Sequence, residues 1–342
     1  MALLMCGIDE AGYGPLLGPL AVGAAAVSVR DWEEGQAAPD LWKELSGGVA
    51  AGVKGAAGRV VIADSKALKL PGVSGGDTPG GVGAGGRHPL MHLERGVLAW
   101  LAWMGQRPSD DEALLECLGA WWPPHRCYER TGVERKVPLV GGESLGIVAN
   151  GLRSASGGRV VPVGLRCRLM GEVEFNRVVK ESSGKGATTL VAMREHAAWF
   201  VELARAHEGH HLRFVCDRLG GREKYADIVE YLFSGESGAA EVRVLEETPE
   251  RSRYVVGVPG VGREIGVVFE VGSERVYLPI ALASMVAKLC RELAMERFNG
   301  WWGQRVHGLK PTAGYWQDAQ RWLKAVGGAM SASDKRELVR IA

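Results

Sequence analysis

The sequence predicts an α/β fold in which a mixed central sheet is flanked by helices. Two apolar runs between residues 3 and 29 are separated by a glycine-rich stretch at 12–18, which indicates two strands joined by a turn. Further along the chain, segments typical of strands alternate with segments of helical periodicity. Early strands followed by such an alternation indicate an α/β sheet with an antiparallel portion.

The individual elements follow from periodicity and from turn residues. After the first two strands, we expect strands at 59–63, 159–169, 211–217, 241–246 and 264–271. We expect helices at 90–104, 110–121, 172–179, 187–207, 223–233, 280–298 and 312–325, the second of them capped by Ser109. Residues 71–86 contain eight glycines in sixteen positions, which makes ordering costly and predicts a loop.

The composition limits the classes of function. Hydrophobic residues make up 46% and charged residues 24% of the chain, as in an ordinary globular protein. The net charge of +1 excludes a generally basic protein, so contact with nucleic acid requires a local patch. Residues 303–342 contain seven Lys and Arg against three acids, which suits such a patch. A solvated helical surface explains that count equally well.

The expected location is the cytoplasm. No apolar stretch is long enough to cross a bilayer, and the first residues lack the basic region and long apolar run of a signal peptide. Six cysteines are scattered without a C-x-x-C pair, which argues against a zinc ribbon and against a disulfide framework. We expect these cysteines to be reduced and mostly buried.

Carboxylates at the ends of apolar segments are the candidate chemical groups. Asp9 and Glu10 follow an apolar run and precede the glycine-rich turn, and Asp217 ends a second apolar run. Glu292 lies in a helix whose apolar face is otherwise core. Carboxylates beside a core are costly unless a cation neutralises them, and an oxygen-only set suits Mg²⁺ or Mn²⁺. A turn with solvated acids is the alternative for residues 9 and 10.

Six segments, in order along the chain, resemble the signatures of the type 2 ribonuclease H (ribonuclease HII) family. Residues 7–20, GIDEAGYGPLLGPL, resemble its opening motif D-E-A-G-R-G-P-L-A-G-P-V. The other matching segments are 64–68 (D-S-K-K-L in the family), Asn176 with 187–193 (N and A-T-x-x-A-M), 214–217 (the strand of the third acid), 283–292 (A-S-I-x-A-K-V-x-R-D) and 312–315 (K-G-Y).

The resemblance implies a ribonuclease H-like fold and a domain plan. Residues 1–302 would form the catalytic domain, with insertions near 71–86, 121–159 and 246–272 that compact family members lack. Residues 303–342 would form a helical C-terminal extension that binds substrate.

The resemblance also implies an activity and its residues. The family hydrolyses the RNA strand of RNA–DNA hybrids, or cuts at ribonucleotides embedded in DNA, leaving a 3′-hydroxyl and a 5′-phosphate. Asp9, Glu10, Asp217 and Glu292 would be the catalytic residues and would hold two Mg²⁺ or Mn²⁺ ions. The positions matching the family's nucleic-acid contacts are Gly12, Tyr13, Gly14, Lys66, Ser284, Lys288 and Tyr315.

Two departures from the family pattern leave alternatives open. Tyr13 replaces the usual Arg of the first motif, and Glu292 replaces the usual Asp of the fifth. The chain would then be a nucleic-acid-binding protein of the same fold with impaired catalysis. A third hypothesis is a nuclease of the same superfold that acts on DNA. Asp227 or Glu230, rather than Glu292, is a further candidate for the fourth carboxylate.

Overall fold

The computed structural model describes residues 1–68, 88–129, 135–139, 144–182, 184–235 and 238–341. The loop expected at 71–86 lies outside the described residues. The strands are β1 Ala2–Ala11, β2 Leu20–Arg30, β3 Val49–Ala50, β4 Val60–Val61, β5 Val160–Met170, β6 His210–Asp217, β7 Glu241–Glu247, β8 Arg251–Gly257 and β9 Glu264–Glu270. The helices are α1 Leu41–Glu44, α2 Ser65–Leu68, α3 Met91–Trp103, α4 Asp111–Cys117, α5 Leu145–Ser156, α6 Glu172–Ser182, α7 Gly186–Ala206, α8 Ala226–Phe233, α9 Leu278–Gly303, α10 Trp316–Val326 and α11 Ala332–Leu338.

A seven-stranded mixed sheet forms the centre of the fold, in the order β5-β2-β1-β6-β9-β8-β7. Strands β1, β6 and β9 are parallel neighbours, whereas β2, β5, β8 and β7 pair with their neighbours in antiparallel orientation. Helices cover the sheet, so the predicted α/β class with a mixed sheet is confirmed. The parallel strands end at the same edge, where side chains that follow them meet.

Alternating residues of β1 divide the core into two layers. Leu3 and Met5 belong to the cluster that includes α9, and Leu4, Cys6 and Ile8 belong to the cluster that includes α7 and α8. Both layers are fully buried, which explains why β1 reads as a continuous apolar run rather than an alternating one.

Two glycines allow α9 to lie directly against the sheet. A Cβ at Gly7 would come within 2.4 Å of the backbone nitrogen of Ile280, and one at Gly23 within 2.2 Å of the carbonyl oxygen of Ala283. Real Cβ atoms do not approach backbone that closely, so only glycine fits at these positions. Contact at residues 7 and 280, and then at residues 12 and 291, shows that α9 follows β1 toward its carboxyl end.

The C-terminal region packs on the far end of α9. Phe298, Trp302 and Trp322 form a buried aromatic group, with the rings of Phe298 and Trp322 5.0 Å apart. The chain then returns to the first turn of the sheet, where Val339 forms an antiparallel bridge with Leu17. The C-terminal residues therefore lie beside the turn that joins β1 to β2.

Most expected elements are present with shifted ends, and two local expectations were wrong. Asp110, not Ser109, caps α4, because its carboxylate accepts a hydrogen bond from the N–H of Ala113 at 2.8 Å. Helix α10 begins at Trp316 rather than at residue 312, because Thr312 is held outside the helix by Asn299 and Asp318.

The structure also contains elements that the sequence pattern did not predict. Strand β8 and helix α5 lie in segments that we expected to be insertions. The segment 246–272 contains β9 as well, which pairs with the central strand β6. Part of that segment therefore belongs to the central sheet.

The cysteines were expected to be reduced and mostly buried. All six cysteines are free, and five of them are buried. None of the described helices is both long and apolar enough to cross a membrane.

Candidate metal site

Three carboxylates stand side by side at the ends of the parallel strands. Ile8 of β1 pairs with Cys216 of β6, so the next residues, Asp9 and Asp217, lie side by side. Asp217 in turn pairs with Glu270 of β9. Parallel neighbours at one level point to the same face and lie roughly 4.8 Å apart. We call Asp9, Asp217 and Glu270 the strand-end acids. These acids point to the side of the sheet that α9 covers. Val215 and Val268, two positions before Asp217 and Glu270 in their strands, point the same way and pack in the core layer that includes α9.

Burial and mutual repulsion perturb the acids of β1. Burial, followed by the charge of Glu10, raises the pKa of Asp9 to about 8, against a hydrogen bond from Ser284 that lowers it. Burial and the charge of Asp217 raise the pKa of Glu10, whereas the charge of Lys66 lowers it. Both side chains reach solvent in part but are densely surrounded by protein. The charges of Asp9, Glu10 and Asp217 therefore act on one another.

The donor set suits a hard divalent cation. Carboxylate oxygens without nitrogen or sulfur ligands are the preferred surroundings of Mg²⁺ and Mn²⁺. A cation would also relieve the repulsion that raises these pKa values. Among the residues that the structure describes, no three His, Cys, Asp or Glu side chains are arranged to hold a metal ion as they stand. A shared ion therefore requires the carboxylates to rotate toward one another.

Glu292 lies farther along α9 than the other predicted ligands. It is eight residues beyond Ser284, the α9 residue that bonds Asp9, and a helix rises about 12 Å over eight residues. Its carboxylate forms an ion pair with Lys288 at 2.7 Å. Glu292 as a metal ligand stays a prediction, and the strand register offers Glu270 as a nearer fourth carboxylate.

The other two candidates for the fourth carboxylate lie on α8, on the side of the sheet toward which Glu10 of β1 also points. Asp227 and Glu230 belong to α8, whose buried residues pack in the layer opposite α9. Sequence reasoning missed Glu270, although the same signal that singled out Asp217 was available: an acid that ends an apolar strand.

The segment 64–68 lies beside the acids. The hydroxyl groups of Ser284 and Ser65 are hydrogen-bonded at 2.9 Å, which joins α9 to α2. Lys66 follows directly, and its charge acts on Glu10. The predicted contact residues Lys66 and Ser284 are thus brought to the acids, whereas Lys288 stands one helical turn farther along α9.

The predicted recognition residues of the first turn lie next to those of the C-terminal region. We call residues 12–19 the glycine loop. The carbonyl oxygen of Gly314 accepts hydrogen bonds from the N–H groups of Leu16 and Leu17 at 2.8 and 3.2 Å. Tyr13 and Tyr315 remain 40% and 51% exposed, so both rings are free to contact a ligand.

A buried arginine of α9 joins the two segments. Arg291 donates to the carbonyl oxygens of Pro19 at 2.7 Å, Leu17 at 3.3 Å and Ala313 at 3.1 Å. Its side chain is 1% exposed and fills the space beside Gly12, where a Cβ would come within 2.6 Å of it. Gly12 has a φ of +85°, a conformation that glycine adopts without strain. Sequence reasoning did not assign this role to Arg291, although it lies inside a matched motif.

Comparison with solved structures returns ribonucleases H. The chain is similar to the ribonuclease H2 from Pyrococcus horikoshii OT3, at 14% identity and a TM-score of 0.41 over 94% of this chain and 86% of that one. It is similar to the RNase HII of a PCNA:RNase HII complex from Archaeoglobus fulgidus, at 15% identity and a TM-score of 0.40 over 99% and 94%. A third similar structure is Bst-RNase HIII in complex with Mn²⁺, at 13% identity and a TM-score of 0.39 over 99% and 66%. No family model and no curated protein matches the chain.

Proposed function

We propose that this chain is a divalent-metal-dependent endonuclease. It hydrolyses the RNA strand of RNA–DNA hybrids, or cuts at ribonucleotides embedded in DNA. The observation that supports this most is the meeting of Asp9, Glu10 and Asp217 at one edge of the sheet, immediately before a glycine loop with exposed donors. A cluster of carboxylates beside a backbone that a ligand can approach closely suits phosphodiester hydrolysis.

The residues of the acid cluster would hold the metal ions and orient them. Asp9, Glu10 and Asp217 supply the carboxylates, and Glu270 or Glu292 supplies a fourth. Bound Mg²⁺ or Mn²⁺ would activate water and stabilise the leaving oxygen. Asp217 is fixed by hydrogen bonds from the N–H of Gly272 at 3.1 Å and the hydroxyl of Ser273 at 3.3 Å. Ser284 of α9 lowers the pKa of Asp9 and so favours its charged form.

The neighbouring residues would select the substrate. The ammonium of Lys66 offsets the negative charge of Glu10 and can face a phosphate. Tyr13 and Tyr315 expose rings suited to stacking on a base or a sugar. The backbone of the glycine loop can approach a ribose 2′-hydroxyl, the group that distinguishes RNA from DNA.

A second candidate function is nucleic-acid binding without cleavage. The Lys288–Glu292 ion pair favours it if Glu292 is the required fourth ligand, because a metal ion would have to compete with an ammonium at 2.7 Å. The strand-end acids argue for the nuclease, since Glu270 lies nearer to Asp217.

Cleavage of three matched duplexes tests the proposal. The substrates are one duplex with a single ribonucleotide, one full RNA–DNA hybrid and one all-DNA duplex, each with Mg²⁺, Mn²⁺ or EDTA. We expect metal-dependent cuts that leave 3′-hydroxyl and 5′-phosphate ends in the first two only. Asp9→Asn, purified in parallel, controls for contaminating nuclease. Binding without cleavage would select the second function, and equal cleavage of DNA would contradict the substrate class.

A further inference from the structure

The last described residues are held between the glycine loop and helix α6. The N–H of Arg340 donates to the carbonyl oxygen of Leu16 at 2.9 Å, next to the Leu17–Val339 bridge. On the other side, Asn176 of α6 donates to the carbonyl oxygen of Val339 at 2.9 Å. The same Asn176 accepts from the N–H of residue 341 at 2.7 Å. We call residues 339–341 the C-terminal tail.

The tail delivers a buried guanidinium to the glycine loop. Arg340 is 2% exposed, and it donates to the carbonyl oxygens of Gly12 at 2.6 Å and Tyr13 at 2.7 Å. Its guanidinium lies 3.6 Å from the centre of the Phe175 ring. Hydrogen bonds from an ionised donor are stronger than neutral ones, so the two carbonyl groups are held firmly. Glu172, whose carboxylate accepts from the N–H of Gly18 at 3.1 Å, supplies nearby negative charge.

These two contacts fix where the neighbouring N–H groups point. In a trans peptide unit the C=O and the N–H point in opposite directions. With the carbonyl groups of Gly12 and Tyr13 turned toward Arg340, the N–H groups of Tyr13 and Gly14 point away from it. Within the described part of the chain these two N–H groups have no acceptor. A Cβ at Gly14 would meet no atom within 4 Å, so the space beside Gly14 is open, and Tyr13 is itself 40% exposed.

We propose that Arg340 is a positioning residue for substrate recognition, which holds the N–H groups of Tyr13 and Gly14 toward the ribose of an RNA strand. This inference rests on the proposed function, because it assigns the recognition of ribose to the glycine loop. Selectivity for RNA then depends on the C-terminal tail, 328 positions away from Gly12 along the chain. The tail acts through the loop and does not touch the substrate.

Substitution of Arg340 tests this role. Arg340→Met keeps the length of the side chain and removes its donors, and Arg340→Lys keeps the charge with a single donor group. Arg205→Met is the matched control, because Arg205 is exposed in the last turn of α7, outside the C-terminal region expected to bind substrate. We expect Arg340→Met to raise KM for the ribonucleotide duplex at least about tenfold with a smaller change in kcat. Arg340→Lys should recover part of the loss, and Arg205→Met should match the wild type.

Two further measurements separate positioning from folding. Amide exchange should become at least about tenfold faster in residues 12–18 of Arg340→Met, with β1 and α9 unchanged. The ratio of affinities for a hybrid and for a DNA duplex of the same sequence, measured in EDTA, should fall toward one. If Arg340→Met does not fold, Arg340→Lys serves for the same comparisons, with the expected change in the same direction and smaller.

The outcomes distinguish this inference from the proposed function. Wild-type exchange and wild-type substrate preference in a folded Arg340 variant would overturn the positioning role while leaving the nuclease intact. If the wild type cuts no duplex, the proposed function fails. The affinity ratio then decides the inference alone: a preference for hybrid that Arg340→Met loses supports it, and equal affinity of the wild type for both duplexes overturns it.

Discussion

The strand-end acids and the glycine loop are adjacent, but opposite physical conditions hold in them. The acids crowd charges of one sign, so that burial and repulsion raise the pKa values of Asp9 and Glu10. In the glycine loop the carbonyl groups face two buried arginines, Arg291 and Arg340, that satisfy them. The acids repel one another and would be stabilised by a bound cation, whereas the carbonyl groups of the glycine loop already have hydrogen-bond donors. Substitutions in the two halves should therefore affect activity and stability in different proportions.

The largest expected effect is on activity, at Asp9. Asp9→Asn should lower cleavage by at least about a thousandfold, because a metal-ligating carboxylate supplies several kcal/mol of transition-state stabilisation. The melting temperature should stay equal or rise, since one of three mutually repelling acids is gone. Cleavage rates and thermal unfolding of the same preparation measure both. A variant that unfolds at a much lower temperature would show that Asp9 is held by packing and not by charge.

At Arg291 we expect a large loss of stability rather than a direct loss of catalysis. Arg291→Met should lower the free energy of unfolding by about 3 kcal/mol, because three carbonyl groups lose a buried ionised donor. Denaturant titration measures the change, with Arg275→Met as a control, since that side chain is 86% exposed. A loss below about 1 kcal/mol would mean that water replaces the guanidinium, and the glycine loop would not be the rigid half of the site.

The fourth carboxylate sharpens the comparison, because the sequence pattern favours Glu292 and the strand register favours Glu270. We expect Glu270→Gln to lower cleavage about a hundredfold and Glu292→Gln by about threefold or less, because a ligand must lie beside Asp217. Single-turnover rates at saturating Mn²⁺ measure both variants. The reverse order, with Glu292→Asp as active as wild type, would return the site to the position that the family pattern indicates.

The smallest expected effect concerns an exposed ring. Tyr315→Ala should weaken use of the ribonucleotide duplex by roughly 1–3 kcal/mol, the value of one aromatic stacking contact, and should leave metal binding unchanged. The measurement is kcat/KM, beside metal affinity by calorimetry. Tyr231→Ala is the matched control, because Tyr231 is a ring of similar exposure, 38%, on α8 and is not part of the glycine loop. Equal behaviour of the two variants would remove Tyr315 from the recognition surface.

The sequence by itself determined the local parts of this protein. Apolar runs interrupted by glycines placed β1 and β2 correctly, because burial on both faces and chain reversal leave a local signature. Acids at the ends of such runs singled out Asp9, Glu10 and Asp217 as candidate metal ligands, since a carboxylate beside a core is costly without a partner. The matched segments gave the ribonuclease H-like fold, which the strand order and the strand directions fit.

Only the tertiary structure decided the pairings between distant residues. Glu270 lies beside Asp217 because of the register in which β6 and β9 pair. No residue near either acid specifies that register. Arg340 has no local feature that distinguishes it from other C-terminal basic residues, and its contact with Gly12 exists because α11 and Asn176 direct the tail back to the loop. Periodicity in the sequence indicates which face of a single helix or strand is buried. The strand registers and the position of the C-terminal tail depend instead on the packing free energy of the whole fold.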